Sequence, residues 1–370
     1  MIVDSMRDGL LNACQVVSVA LPARSPMPIY SKIKAIAAGD TLTLMATDLE
    51  VGIRYELKGV RIEENGQAVW PPDRLISILK ETKSDSIHIE CSEDKAKIRT
   101  NNGRYQISLE DPTTYSDVDE LGQEENWFEM EAAMVQRMIR YSSFAASKEE
   151  GKYAMRATLW EITGKQLRMV TTDGKRMALV QGECQPHGEN PENVSALLPA
   201  KAVQLLDRLL SEGDPEQQIK ACFRPNSAFF VSDKATISTR LAEGRFPPYG
   251  NVIPRKFEQQ ITLPVGLFLT SIRQAAVMTD QESKRVELHF AAGKVKLNAR
   301  GTETGESDVV MDLPEYAEEP LKIMFDSSYL MDFLRVLDPA QEVTLQIVDP
   351  KKAVLFEVSS DYQYMLVPLI

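Results

Sequence analysis

Cysteine is scarce in this chain. Its four thiols, Cys14, Cys91, Cys184 and Cys222, lie far apart in 370 residues and form no CxxC pair. That excludes a disulfide scaffold and a multi-thiolate zinc site, and it reads as reduced thiols in a cytosolic protein. Histidine is scarcer still. His88, His187 and His289 form no HExxH pair, and the spacing of metal ligands is absent. There is no GxSxG elbow and no glycine-rich phosphate loop. No apolar run reaches the roughly 18 residues that a membrane helix needs. Met1–Val3 does not open a basic region followed by an apolar stretch, so no secretion signal is expected. These absences predict a cytoplasmic protein with no membrane span, no metal, no cofactor and no catalytic machinery.

The chain is 43% hydrophobic and 26% charged, enough to bury a sizeable core. Its length has room for two or three domains. The net charge is −12. Read bluntly, that opposes nucleic acid, because phosphate binding is driven by Lys and Arg. The argument fails if the two signs are segregated, so the placement of the cations matters.

The pattern that organises the chain is an internal repeat. Leu167–Leu179 reads LRMVTTDGKRMAL, and Leu42–Ile53 reads LTLMATDLEVGI. With Asp173 set on Asp48, Thr172 falls on Thr47, Val170 on Met45 and Met169 on Leu44. Each copy is an alternating strand, a Thr-Asp turn and a second strand. Val295–Gly301 is a fainter copy without the Thr-Asp. Repeats of this kind point to an array of similar domains.

Helical periodicity begins near Ser5, Pro71, Glu131, Pro199, Pro264 and Ser327. Three of the six starts share an apolar residue followed by proline: Trp70-Pro71, Leu198-Pro199 and Leu263-Pro264. These prolines are expected at the first helical position, where a missing N–H is harmless. Between the helices, period-two alternation marks half-buried strands, as at Ile87/Ile89/Cys91, Ala228/Phe230, Val343/Leu345/Ile347 and Val354/Phe356/Val358. Short turns at Ser92–Lys95, Arg224–Ser227 and Asp349–Lys352 make them antiparallel. One helix and three or four strands form the unit, and two units form a domain. The acidic stretch Asp111–Glu125 and the segment RFPPYGNVIP at Arg245–Pro254 separate the domains. The fold class is α+β, with three domains spanning 1–122, 127–252 and 253–370.

Cations lie on helix faces. Projected at 100° per residue, Arg137, Arg140 and Lys148 fall together, away from Met134, Val135, Met138, Ile139 and Ser142. Lys201 and Arg208 are seven apart on one side of the next helix. Such contacts would position a duplex without reading its sequence. Asp48 and Asp173 invite a reading as paired carboxylates, but an Asp after Thr at a strand end is expected to bond its own turn.

The triple repeat, TTDGKRMAL at Thr171–Leu179, EGRFPPYGNVIP at Glu243–Pro254 and YMLVPLI at Tyr364–Ile370 together resemble the bacterial sliding clamps, the beta subunits of DNA polymerase III. The resemblance covers the whole chain. It implies the DNA clamp fold, in which each domain packs two helices on antiparallel sheets. It also implies a head-to-tail homodimer closed into a ring around double-stranded DNA, bound topologically and without sequence preference. Such a processivity factor is a non-catalytic subunit that tethers the polymerase. The implied partners are the polymerase alpha subunit, the clamp loader, translesion polymerases, mismatch repair proteins and ligase.

By motif, the resemblance places a partner-peptide groove at Met155, Thr172, Gly174, Lys175, Arg176 and Met177, with Pro247, Asn251 and Val252, and with Met365, Val367, Pro368 and Leu369. Deleting Tyr364–Ile370 is then expected to abolish partner binding and leave the dimer intact. Arg24, in LPARSPMP, takes the place of a DNA-contacting arginine, and Arg273 joins the helix-borne cations. Ile107 and Leu109 on the strand Arg104–Leu109 would meet Val277 and Met278 of a second copy. The chain departs from the family at Lys175 (histidine in well-known members), Ala154 (an aromatic), the doubled proline at Pro248, and the Leu369-Ile370 end. The rival reading is a repeat-built enzyme or binding protein with an interdomain ligand.

Overall fold

The computed structural model describes every residue except 123–125, 150–152, 189–192, 212, 255, 281–282, 303–304, 315 and 317–318. The end of the acidic stretch, at 123–125, therefore lies outside the described residues. Among the described residues, six α-helices stand where the periodicity placed them: α1 (Arg7–Ser18), α2 (Pro72–Glu81), α3 (Ala132–Ser142), α4 (Ala200–Leu210), α5 (Val265–Ala276) and α6 (Ser327–Leu334). No helix among the described residues is long and apolar enough to cross a membrane.

Pro71, Pro199 and Pro264 sit one step earlier than expected. Each is the residue before the first helical one, with extended ψ of 111°, 144° and 120°. Pro199 and Pro264 are also the last residues of strands. The proline ends the strand, where its missing N–H is harmless, and the carbonyl of Pro71 accepts the first helical bond, from Leu75 N–H.

The chain parts into two compact units. One is Met1–Gln136 with Cys184–Val194 and Leu198–Leu241; the other is Arg137–Glu183, Ser195–Leu197 and Ala242–Ile370. In the first unit a five-stranded sheet runs in the order Arg61–Glu64, Ile2–Met6, Ser86–Cys91, Lys95–Arg99, Arg104–Ser108. A nine-stranded sheet of the same unit contains Thr41–Thr47, Val51–Lys58 and Ala235–Arg240 side by side. In the second unit an eight-stranded sheet runs Val194–Pro199, Ala157–Thr163, Gln166–Thr172, Arg176–Glu183, Tyr362–Leu366, Val354–Ser359, Glu342–Ile347, Gln259–Pro264. A four-stranded sheet there ends on the edge strand Gly305–Asp312. The named strand pairings are antiparallel, and the three turns read from sequence close with Ser92→Lys95, Arg224→Ser227 and Lys352→Asp349 backbone bonds.

The two strong repeats hold equivalent places. The strand that leaves the first Thr-Asp turn, Val51–Lys58, pairs with Ala235–Arg240 and joins two halves of the nine-stranded sheet. The strand that leaves the second, Arg176–Glu183, pairs with Tyr362–Leu366 and joins two halves of the eight-stranded sheet. Apolar faces of helices and sheets meet in the cores. In the second unit Phe333 stacks on Tyr364 at 4.4 Å and Tyr141 on Tyr362 at 4.5 Å between ring centroids.

The acidic stretch begins as a structural element. Lys34 Nζ, with only 7% of its side chain exposed, donates to Asp117 at 2.6 Å and to the Tyr115 carbonyl. Arg54 reaches Glu120 at 2.8 Å. Those cations hold the connection against the first unit.

Candidate functional site

Both Thr-Asp turns are built alike. Thr47 Oγ1 donates to the Val51 carbonyl and accepts from Leu49 N–H; Thr172 Oγ1 donates to the Arg176 carbonyl and accepts from Gly174 N–H. Asp48 Oδ1 accepts from the N–H groups of Glu50 and Val51, and Asp173 Oδ1 from those of Lys175 and Arg176. The carboxylates thus close their own turns, as expected. Each second oxygen takes a cation: Asp48 Oδ2 meets Lys201 Nζ at 2.5 Å, and Asp173 Oδ2 meets Arg176 Nε at 3.0 Å.

That geometry corrects two residue assignments. Lys201 was expected on a phosphate-facing surface. Its ammonium instead donates to Asp48 and to the carbonyls of Ala20 (2.7 Å) and Leu21 (3.0 Å), just past the end of α1. An ammonium has three donors, so none is left for a phosphate. Arg176 was expected as a polar anchor in the groove. Its side chain is 5% exposed and donates to Asp173, to Asp332 on α6 (2.9 Å) and to the Phe144 carbonyl (2.8 Å), with Tyr329 4.3 Å from the guanidinium carbon. It supports the turn from beneath. Thr172 is buried and its hydroxyl is likewise occupied by the turn.

Lys148 also moves. α3 ends at Ser142, whose hydroxyl donates back to the Met138 carbonyl, and a 3-10 turn, Ser143–Ala145, follows. Lys148 therefore lies off the helix, and the helical projection does not apply to it. Arg24, Arg137, Arg140, Lys148 and Arg273 are exposed, while Arg208 is half-buried.

The face of the eight-stranded sheet opposite Tyr362 and Tyr364 carries an apolar floor. Cross-strand register puts Leu159, Val170 and Leu179 in one row and Met177, Met365 and Leu355 in another. Paired residues share a face, and these form one buried cluster with Ala157 and Leu197. Ala154, Phe246, Tyr249, Ile253 and Phe257 pack onto it. Predicted groove residues fall around this floor. Met177 and Met365 are part of it, Pro247, Asn251 and Val252 belong to the covering loop, and Val252 is 58% exposed. Val367, 45% exposed, is tied to the turn by its N–H to the Lys175 carbonyl at 2.9 Å. Gly174 and Lys175 are exposed at the turn, Met155 is half-buried, Pro368 is buried, and Leu369 is fastened to the Met324 carbonyl. A cavity of about 380 Å³ is lined by Leu159, Glu161, Ser195, Leu197 and the loop 244–251.

Sequence reasoning missed Leu159, Val170, Leu179 and Leu355 as floor, although their alternation was legible. It also missed Tyr249. The Tyr249 hydroxyl donates to Glu161 and accepts from Arg168 Nη1 at 3.1 Å. Burial, and then the bond to Glu161, push its phenol pKa up. The signal was present as the Tyr of RFPPYGNVIP and the alternating Glu161 and Arg168.

Two of the edge strands bear on the expected seam. Arg104–Ser108 ends the five-stranded sheet, with Ile107 and Leu109 half-buried beside a cavity of about 590 Å³. Gly305–Asp312 ends the four-stranded sheet and exposes Val310. Val277 is exposed just past α5, and Met278 is half-buried.

Comparison with known proteins gives a consistent result over the whole chain. Residues 1–119, 129–248 and 250–369 match the family models of the N-terminal, central and C-terminal domains of the DNA polymerase III beta subunit. Beta sliding clamps of Pseudomonas putida and Escherichia coli are each 26% identical over 366 residues, covering 98% of both chains. A crystal structure of the Pseudomonas aeruginosa sliding clamp bound to griselimycin is 25% identical, with a TM-score of 0.90 over 100% of this chain and 99% of that one. The Thermotoga maritima beta subunit, 21% identical, has the same fold with a TM-score of 0.89.

Proposed function

The chain belongs to the DNA polymerase III beta subunit family, the bacterial sliding clamps, and on that premise we propose how its own residues do that work. A sliding clamp is a processivity factor and not an enzyme. Three clamp domains per chain, which we set at 1–122, 127–252 and 253–370, pair with those of a second copy in a closed ring on duplex DNA. A cytoplasmic location goes with that role. A ring binds topologically, so scattered cations suffice, and dense phosphate contacts would slow sliding. Arg24, Arg137, Arg140, Lys148 and Arg273 are the proposed DNA-facing cations, with Arg208 in a minor place and Lys201 withdrawn.

The observation that supports partner capture is the apolar floor of Met177, Met365, Leu159 and Leu355, flanked by exposed Val252 and Val367. An apolar base with polar groups around it suits a short peptide, and methionines repack around different partners. The polymerase alpha subunit, the clamp loader and other replication and repair proteins would dock there in turn.

For the seam, we propose that the open edge Arg104–Ser108 pairs with Gly305–Asp312 of a second copy, with Ile107 and Leu109 packing near Val277 and Met278. Strand pairing there would cover two edges that invite aggregation when left open. Arg104 on one edge and Glu306 on the other carry opposite charges. Light scattering should give twice 41.5 kDa. The protein should stay on nicked circular DNA after loading with clamp loader and ATP, and leave when the circle is cut. Equal retention on linear DNA with free ends would refute topological binding.

A further inference from the structure

The loop that covers the apolar floor has little backbone support. Among the described residues, Ala242 N–H donates to the Leu197 carbonyl where the loop begins, and Glu258 N–H donates to the Ile347 carbonyl where it ends. Between them the one backbone bond, Val252 N–H to the Tyr249 carbonyl, is local to the loop's own 3-10 turn, Tyr249–Asn251. Side chains must therefore decide where the loop lies. Phe246, Ile253 and Phe257 rest on the floor, but apolar contact is non-directional and permits sliding. Tyr249 alone among these adds a directional bond. Its ring meets Phe246 edge-on, with centroids 6.4 Å apart, and its hydroxyl is held between Glu161 and Arg168.

The receiving pair is itself fixed. Glu161 and Arg168 are cross-strand partners on the same sheet face, and their charges lie 3.9 Å apart. Arg168 Nη2 donates to Gln181 Oε1 at 3.4 Å, and Gln166 Nε2 donates to the same oxygen at 2.7 Å. Three adjacent strands thus present one socket for a phenol.

We propose that Tyr249 is a positioning residue for partner binding: anchored through its hydroxyl to Glu161 and Arg168, it sets the stance of Pro247, Asn251 and Val252, the wall of the groove. It acts on the partner through that wall. The proposal rests on the reading of that floor and loop as the partner groove, and it assigns Glu161 and Arg168 a part in specificity through Tyr249. A loop that lost the anchor would keep its apolar contacts but sample several positions, so that each partner would have to select one.

The test is titration of the intact protein with griselimycin, the molecule held by the Pseudomonas aeruginosa clamp, and with a peptide copied from the clamp-binding segment of the cognate polymerase alpha subunit. Tyr249→Phe keeps the ring and its packing and removes only the hydroxyl. It should weaken binding of both probes at least fivefold while the melting temperature and the dimer stay as in the unaltered protein. Glu161→Ala should weaken binding in the same sense, and the double substitution should do no worse than the stronger single one, because both cut the same bond. Unchanged affinity in Tyr249→Phe, or a lowered melting temperature with unchanged affinity, would show a merely structural tyrosine and overturn the proposal. Failure of the unaltered protein to bind either probe would instead refute the groove reading, and the anchor with it.

Discussion

At Leu49 and Gly174 the two turns make the same backbone demand with different residues. Both sit one place after the Asp, with φ of 76° and 91°. Glycine meets that conformation without strain, whereas a leucine there crowds its Cβ against the backbone. Gly174→Ala should therefore cost about 1 kcal/mol. Leu49→Gly should change stability by less, because relief of strain is offset by the greater freedom of glycine in the unfolded chain. Thermal melting of the two variants checks the asymmetry, and equal losses would show that the turns are not equivalent. The turn chemistry was legible in the Thr-Asp pairs. The cation on each second carboxylate oxygen was not, because Lys201 and Arg176 arrive at these oxygens by different routes: one from a distant helix, the other from within the turn itself.

Elements show the consequence. Lys201 on α4 fastens the chain just past α1, from which the segment bearing Arg24 departs. Lys201→Met would take a donor from one Asp48 oxygen and from two carbonyls, at a cost of about 1–3 kcal/mol. The melting temperature should fall, and amide exchange should quicken from Ala20 to Met27. If Lys201 touched phosphate instead, the melt would be unchanged and the salt dependence of DNA binding would weaken by about one counterion. At the other end, Tyr362–Leu366 is an inner strand of the eight-stranded sheet and Tyr364 is fully buried. Deleting Tyr364–Ile370 would unfold that sheet, which corrects the expectation that the dimer survives it. Removal of Leu369 and Ile370 alone should keep the fold and weaken griselimycin binding, with circular dichroism and titration as the two readouts. Ile107→Arg, on an open edge, should leave a species of 41.5 kDa by light scattering.

Across the whole molecule, buried thiols and phenols set the alkaline limit. Burial pushes Cys14 from an ordinary value of 9.0 up to about 12 and Cys184 up to about 11. It also raises Tyr115, Tyr362 and Tyr364 above their ordinary 10.0. The folded chain then holds protons that the unfolded chain releases. Stability from these groups is fully present below pH 9 and is lost as pH rises above the ordinary thiol and phenol values. Melting temperatures should be level from pH 7 to about 8.5 as far as these groups decide, and fall steeply above about 10. A flat profile to pH 11 would contradict that burial.

The helices, the antiparallel hairpins, the repeat and the family are legible in the amino-acid order alone. Each of these is carried by local periodicity, turn chemistry or contiguous motifs. Which cations are already engaged is settled by three-dimensional packing. Lys201, Arg176 and Lys148 look alike as charges on a string of letters. One is wrapped by three oxygens, one is buried under a turn, and one has left its helix, because hydrogen-bond partners are chosen by long-range packing. The same holds for Tyr249: its loop can be read from the motif, but its anchor lies on strands some eighty residues away, where only cross-strand register brings Glu161 and Arg168 together.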